Sequence, residues 1–177
     1  IRAFLDEADM SADAIKTVDF PPACGADIVV SCEKTKDPKN GSIYLKPTQF
    51  VLGVGCRRGT VFENIDSAIR QSLLKLQIDI SDIDMIASID VKKDEPGIKD
   101  FCDRNRIEFV TYTADELMAV QGEFSASQFV KEHVGVDNVC ERAAVLACSR
   151  ECNKAGKLVY KKHKYDGVTV AAAKYPD

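Results

Sequence analysis

The strongest constraint on the fold of this chain is an alternation of short apolar runs with helical repeats from residue 50 onward. Runs typical of buried strands lie at residues 50–54, 85–89, 107–112, 158–160 and 168–173. Alternation of strands with helices predicts an α/β domain: a three-layer sandwich with a mostly parallel sheet flanked by helices. The last two strands are joined by the Asp166-Gly167 turn signal, so the predicted sheet is mixed.

Helix signals lie between these runs. Apolar residues recur at helical spacing at Ile65, Ile69, Leu73 and Leu76, and the Pro96 helix has an inner face of Ile98, Phe101 and Cys102. Thr60 with Glu63, and Thr113 with Glu116, have the spacing of capping boxes. A helix capped by Ser125 or Ser127 and running to about His133 is also predicted, and Asn138 with Glu141 frames the last one.

Residues 1–49 differ in character from the rest of the 177-residue chain. They contain the turn signals Asp37-Pro38 and Asn40-Gly41, and the run 43–45 is predicted to pair with the run 28–30. This segment is too short for a core of its own. We therefore expect the tail of a preceding region, or an arm, followed by the main domain at residues 50–177. The start without Met suggests a piece of a longer protein.

Charge and composition narrow the class of partner. The net charge of -4 and the pI near 5.3 argue against a nucleic-acid binder. No apolar run approaches the roughly 20 residues that span a bilayer. None of the seven cysteines forms a Cys-x-x-Cys pair, which fits reduced thiols and a cytoplasmic location. With only His133 and His163, we expect no protein-bound metal.

The segment Gly53-Val54-Gly55-Cys56-Arg57-Arg58-Gly59-Thr60 joins a strand to a helix. Free N–H groups at a helix start favour an anion, and guanidinium groups suit carboxylates or phosphates. The glycine spacing is one residue longer than a dinucleotide fingerprint, and no Gly-Lys-Ser/Thr follows to make a P-loop. An anion site and a tight turn with two solvated arginines both fit this segment.

Three further places offer charged side chains. The loop Asp90-Val91-Lys92-Lys93-Asp94-Glu95-Pro96-Gly97 follows a predicted strand, where α/β sheets place ligands, but it also fits a solvated loop whose Asp94 or Glu95 caps a helix. Glu141 fits either a general base or the third residue of a capping box. The basic run 161–164 after a strand fits either ligand binding or plain surface charge.

Four blocks of this sequence, in order, resemble the C-terminal domain of the CbiG family of cobalamin-biosynthesis proteins. They are Leu52 to Thr60, Ala87 to Gly97, Gly135-Val136 with Val139 to Ala144, and Lys161 with Gly167 to Ala171. Residues 1–50, including Ala26-Asp27 and Tyr44 to Pro47, resemble the tail of the family's central region.

This resemblance implies a role in the anaerobic route to vitamin B12. It implies hydrolysis of the δ-lactone of cobalt-precorrin-5A, with release of acetaldehyde, to give cobalt-precorrin-5B. The substrate is an acidic tetrapyrrole that carries its own cobalt, so no cofactor of the protein is expected. The family's N-terminal domain is expected as a partner within the same protein, and the sequence does not define the oligomeric state.

The reaction requires a base and donors to a developing oxyanion. On this hypothesis Glu95 or Glu141 is the base. The substrate-binding residues are then Gly53, Gly55, Cys56, Arg57, Arg58, Gly59, Lys92 and Lys161. Two other interpretations remain. One is a non-catalytic module that binds or carries a corrinoid intermediate, since the related CobE proteins resemble this C-terminal domain alone; the other is a nucleotide- or phosphate-binding domain.

Overall fold

The computed structural model describes residues 28–30, 43–45, 50–125, 135–152 and 155–175. The chain divides into two compact units, Ile1–Pro47 and Thr48–Asp177. In the first unit, β1 (Ile28–Val30) and β2 (Ile43–Leu45) pair in parallel, with Ile28 opposite Ile43. The predicted pairing of these two runs is confirmed.

The second unit is built on a five-stranded sheet of order β5-β4-β3-β7-β6. Its strands are β3 (Phe50–Cys56), β4 (Ile83–Ile89), β5 (Glu108–Tyr112), β6 (Lys157–Lys164) and β7 (Val168–Lys174). β3, β4 and β5 pair in parallel, whereas β7 pairs antiparallel with both β3 and β6. Four strands therefore run in one direction and β7 in the other, which confirms the predicted mixed, mostly parallel sheet.

Helices cover both faces of this sheet. They are α1 (Phe62–Leu76), α2 (Pro96–Asn105), α3 (Ala114–Ala119) and α4 (Val139–Cys152). Alternate residues of a strand point to opposite faces, so Leu52 packs with α1 and α2 while Val51 packs with α3 and α4. The two core clusters lie on either side of the sheet, as a three-layer α/β domain requires.

The helix starts follow the sequence signals in part. Thr113 and Glu116 form the predicted capping box at α3. The box predicted at Thr60 is wrong: α1 has Val61 as its N-cap without a side-chain cap, because the Thr60 hydroxyl donates to the Arg57 carbonyl at 2.7 Å. The helix predicted up to His133 lies mostly outside the described residues.

Candidate functional site

The turns that follow β3 and β4 lie at the same edge of the sheet, since these parallel strands end together. β3 is followed by the residues 57–60, and β4 by a short 3₁₀ turn at Asp90–Lys92. The hairpin turn between β6 and β7 joins them, because the Arg57 N–H donates to the Gly167 carbonyl at 3.0 Å. This carboxyl edge is where open α/β sheets bind their ligands.

The Glu95 carboxylate accepts hydrogen bonds from the backbone N–H groups of the turn that the sequence suggests as an anion site. Its Oε1 accepts from the N–H groups of Gly59 at 2.6 Å and Thr60 at 3.1 Å. Its Oε2 pairs with Lys92 Nζ at 2.9 Å, and the side chain is only 5% exposed. The predicted anion-binding turn is thus already bonded to a carboxylate of the protein itself.

The glycines of this region have packing roles. A Cβ at Gly53 would overlap the Cys140 carbonyl oxygen, so this glycine lies under the start of α4. A Cβ at Gly55 would lie 2.7 Å from Thr169 Oγ1. Gly53 is fully enclosed and Gly55 half-buried, whereas Gly59 is exposed with a φ of +73°, a conformation that favours glycine.

Arg57 and Arg58 are both exposed at the carboxyl edge. The Arg57 side chain runs close to the hairpin turn, with its Cδ 3.7 Å from where a Cβ on Gly167 would stand. Within the part of the chain that the structure describes, neither guanidinium has a hydrogen bond or an ion pair. Two cationic groups are therefore available to an acidic ligand at this edge.

Cys56 is half-buried next to these arginines. Burial raises the pKa of its thiol, Lys92 lowers that pKa and Glu95 raises it again, with a net upward shift. A raised pKa keeps the group a neutral thiol near pH 7, which is the less reactive form. This favours packing over nucleophilic catalysis for Cys56.

Glu141 lies on the opposite face of the sheet from Glu95, in the first turn of α4. It is completely buried, with Oε1 accepting from Ser125 Oγ at 2.8 Å and the Lys162 N–H at 2.6 Å. Oε2 accepts from the Ser125 N–H at 2.8 Å. Asn138 caps α4 through Oδ1, which accepts from the Glu141 N–H at 2.9 Å. The Glu141 carboxylate thus links Ser125 to Lys162 on β6.

The basic run 161–164 lies within β6, which corrects its predicted place after a strand. Pairing with β7 extends the strand to Lys164, with register shifts on both sides of Tyr160. Lys161 is exposed, and its carbonyl accepts from His163 Nδ1 at 2.8 Å. Lys162 is the lysine beside Glu141, and its Nζ donates to the Ser125 carbonyl at 3.2 Å.

The predicted site residues thus separate into two networks. Glu95, Lys92 and Gly59 share one with the exposed arginines, whereas Glu141 belongs to another, with Ser125 and Lys162. Neither Ser125 nor Lys162 is predicted from the sequence to be a partner of Glu141. The separations of 16 and 21 residues leave no local pattern that would reveal these pairs.

Among the described residues, no group of three or more His, Cys, Asp or Glu side chains is placed to hold a metal ion. No helix in the same part of the chain combines the length and apolar character needed to cross a membrane.

The fold and this edge together define a three-layer α/β domain with exposed arginines at the carboxyl ends of its strands. Residues 50–173 match the family described as cobalamin synthesis G C-terminus, and the chain belongs to that family. This confirms the resemblance found in the sequence.

Two relatives are cobalt-precorrin-5A hydrolases. That of Priestia megaterium is 31% identical over 138 residues, which cover 78% of this chain and 35% of the relative. That of Salmonella typhimurium is 32% identical over 126 residues, which cover 71% of this chain and 34% of the relative. The match thus spans about a third of the length of these relatives.

A solved structure has the same fold. CobE, described as a protein from the cobalamin (vitamin B12) biosynthetic pathway, superposes with a TM-score of 0.69 at 24% identity. The superposition covers 73% of this chain and 92% of CobE. At this identity the likeness supports the fold alone.

Proposed function

We propose that this chain acts in cobalamin biosynthesis as the C-terminal domain of a cobalt-precorrin-5A hydrolase. The observation that carries the proposal is the family match over residues 50–173, together with the two hydrolases at 31% and 32% identity. The proposed reaction opens the δ-lactone of cobalt-precorrin-5A and releases acetaldehyde, leaving cobalt-precorrin-5B.

The proposed chemistry has two steps. Water adds to the lactone carbonyl, the ring C–O bond breaks, and the products are a carboxylate and an alcohol. The C–C bond of that alcohol then breaks: its proton passes to a base, its carbon leaves as acetaldehyde, and the macrocycle keeps the electron pair and takes up a proton. Both steps need a proton acceptor and a donor in fixed positions.

Arg57 and Arg58 are the groups best placed to hold the acetate and propionate arms of this substrate. They are exposed, cationic and unpaired within the described residues, and a guanidinium binds a carboxylate in a two-point arrangement. Lys161 is exposed on β6 as a further cation. The proposal places the cobalt in the substrate, so it includes no cofactor or metal held by the protein, and it places the reaction in the cytoplasm.

The base in this proposal is Glu95 or Glu141, and each has a feature that the role must accommodate. Glu95 is bonded to two backbone N–H groups and to Lys92. Glu141 is fully buried and bonded to Ser125 and Lys162. Separate Gln variants of the two residues test the role through the rate of acetaldehyde release.

A second function is a corrinoid-binding module without catalysis. The share of each protein that this domain covers favours this function. The match spans about a third of the two hydrolases, whereas the superposition covers 92% of CobE. In this case the carboxyl edge holds the intermediate, and the reacting groups lie in another part of the protein or in a partner. On this proposal, an N-terminal domain or another remaining part of the protein acts as a partner of this domain.

One assay separates the two functions. The chain is incubated with cobalt-precorrin-5A, acetaldehyde is measured, and the Priestia megaterium hydrolase is the positive control. Acetaldehyde release supports the hydrolase. Binding of the tetrapyrrole without acetaldehyde supports the module, and the absence of both from a folded chain refutes both functions.

A further inference from the structure

The turn between β3 and α1 is held by contacts that are distant in sequence. Glu95 is 36 residues from Gly59 and 35 from Thr60, yet its Oε1 bonds to the N–H groups of both. The first turn of α2 also packs directly on this backbone, since a Cβ at Gly97 would overlap the Thr60 carbonyl oxygen. The position of the turn therefore depends on the start of α2.

The same contacts fix the backbone on both sides of Arg58. On one side, the Arg57 N–H donates to the Gly167 carbonyl at 3.0 Å, and the Arg57 carbonyl accepts from the Thr60 hydroxyl at 2.7 Å. On the other side, Gly59 and Thr60 are bonded to Glu95. These bonds leave the backbone few alternative positions. The side chains of Arg57 and Arg58 therefore extend from a backbone that is held in place.

Glu95 also changes what the turn can bind. An N–H group that already donates to a buried carboxylate is not available to an incoming anion. The carboxylate is itself neutralised by Lys92 at 2.9 Å, so it does not cancel the charge of the exposed guanidiniums. Anion binding at this edge is thereby transferred from the backbone to the side chains of Arg57 and Arg58.

We propose that Glu95 is a positioning residue: its carboxylate is the built-in anion of the Gly59–Thr60 turn and holds Arg57 and Arg58 for the carboxylate arms of a tetrapyrrole. This inference rests on the proposed function and deepens it. Substrate carboxylates bind the guanidinium groups, and the helix start binds only Glu95.

Two variants with opposite expectations test the inference, using uroporphyrin as an acidic tetrapyrrole probe and fluorescence to follow its binding. Glu95→Gln keeps an oxygen that accepts from both N–H groups, so the affinity for uroporphyrin is expected to stay within about threefold of wild type. Glu95→Ala removes the acceptor, so affinity is expected to fall at least about tenfold. Added formate is expected to fill the vacated position and restore binding.

The control is Glu116→Ala. Like Glu95, Glu116 is a carboxylate that accepts from a backbone N–H and pairs with a cationic side chain. It lies at the start of α3, however, and its partner is Arg150. Its affinity for uroporphyrin is expected to equal that of wild type, with or without formate. If Glu95→Ala does not fold, formate is expected to restore its circular dichroism spectrum and its binding together.

Three results would overturn the inference. They are wild-type affinity in Glu95→Ala, a loss of binding or folding that formate does not restore, and a Glu95→Gln protein whose affinity falls as far as that of Glu95→Ala. Failure of the proposed function is distinguishable, because the wild-type chain itself would then bind neither uroporphyrin nor cobalt-precorrin-5A.

Discussion

Replacing Glu141 with Gln changes one buried oxygen into an amide nitrogen and keeps the size of the side chain. Oε1 accepts from Ser125 Oγ and the Lys162 N–H, and Oε2 accepts from the Ser125 N–H. In either orientation of the amide, its NH₂ group faces a backbone N–H to which it cannot bond. The variant therefore leaves at least one buried donor without an acceptor.

The magnitude follows from this geometry. A buried donor without a partner costs about 1–3 kcal/mol, and bonds to a neutral amide are weaker than bonds to a carboxylate. We expect Glu141→Gln to lower the free energy of unfolding by about 2–3 kcal/mol. Glu141→Ala removes the acceptor for all three donors and is expected to cost about 3–5 kcal/mol, because each buried donor left without a partner costs about 1–3 kcal/mol.

Urea unfolding followed by circular dichroism measures this difference. Glu123→Gln is the matched control: it is the same substitution at an exposed position two residues before Ser125, and we expect its effect to stay within about 0.5 kcal/mol. A Glu141→Gln protein as stable as this control would refute the stabilising role of the bonds from Glu141 to Ser125 and Lys162. If that stable protein also released no acetaldehyde, the result would favour Glu141 as the base.

Three further predictions concern packing and titration. Gly53→Ala, whose Cβ would overlap the Cys140 carbonyl, should lower the free energy of unfolding in urea by about 3 kcal/mol. Gly55→Ala meets only the Thr169 hydroxyl and should cost less than about 1 kcal/mol. Equal values for the two variants would refute this. Burial raises the pKa of the Cys140 thiol to about 12, so iodoacetamide should label it at pH 7 only in denaturant. A hydrogen bond from the Thr113 N–H lowers the pKa of Glu116 from 4.5 to about 2. The contribution of the Glu116 carboxylate to stability should therefore be present above pH 4.5 and lost toward pH 2. The Tm of Glu116→Gln should show no such loss.

The sequence was sufficient where structure depends on near neighbours. The order of strands and helices, the Thr113–Glu116 capping box and the buried face of α2 follow from spacing over a few residues. The fold class follows from that order, because alternating strands and helices bury their apolar faces in few arrangements. The family resemblance is also carried by short blocks that keep their order.

The rest depends on contacts between distant parts of the chain. Thr60 and Glu63 have capping-box spacing, but the Thr60 N–H is bonded to Glu95 and its hydroxyl to Arg57. The run 161–164 was expected after a strand, whereas pairing with β7 keeps it within one. Tertiary contacts overrule local preference in both cases, and no local pattern identifies Glu95 as the partner of Gly59.

The register shifts of β6 have a consequence for self-association. Among the described strands, β6 lies at an outer position of the sheet. An outer strand with a regular ladder is a template on which another chain can add a strand. Here the ladder is interrupted on both sides of Tyr160, and Lys157, Lys161 and Lys164 are exposed along it. An incoming strand would meet an irregular row of donors and a line of positive charge, which protects this side of the domain from edge-to-edge aggregation.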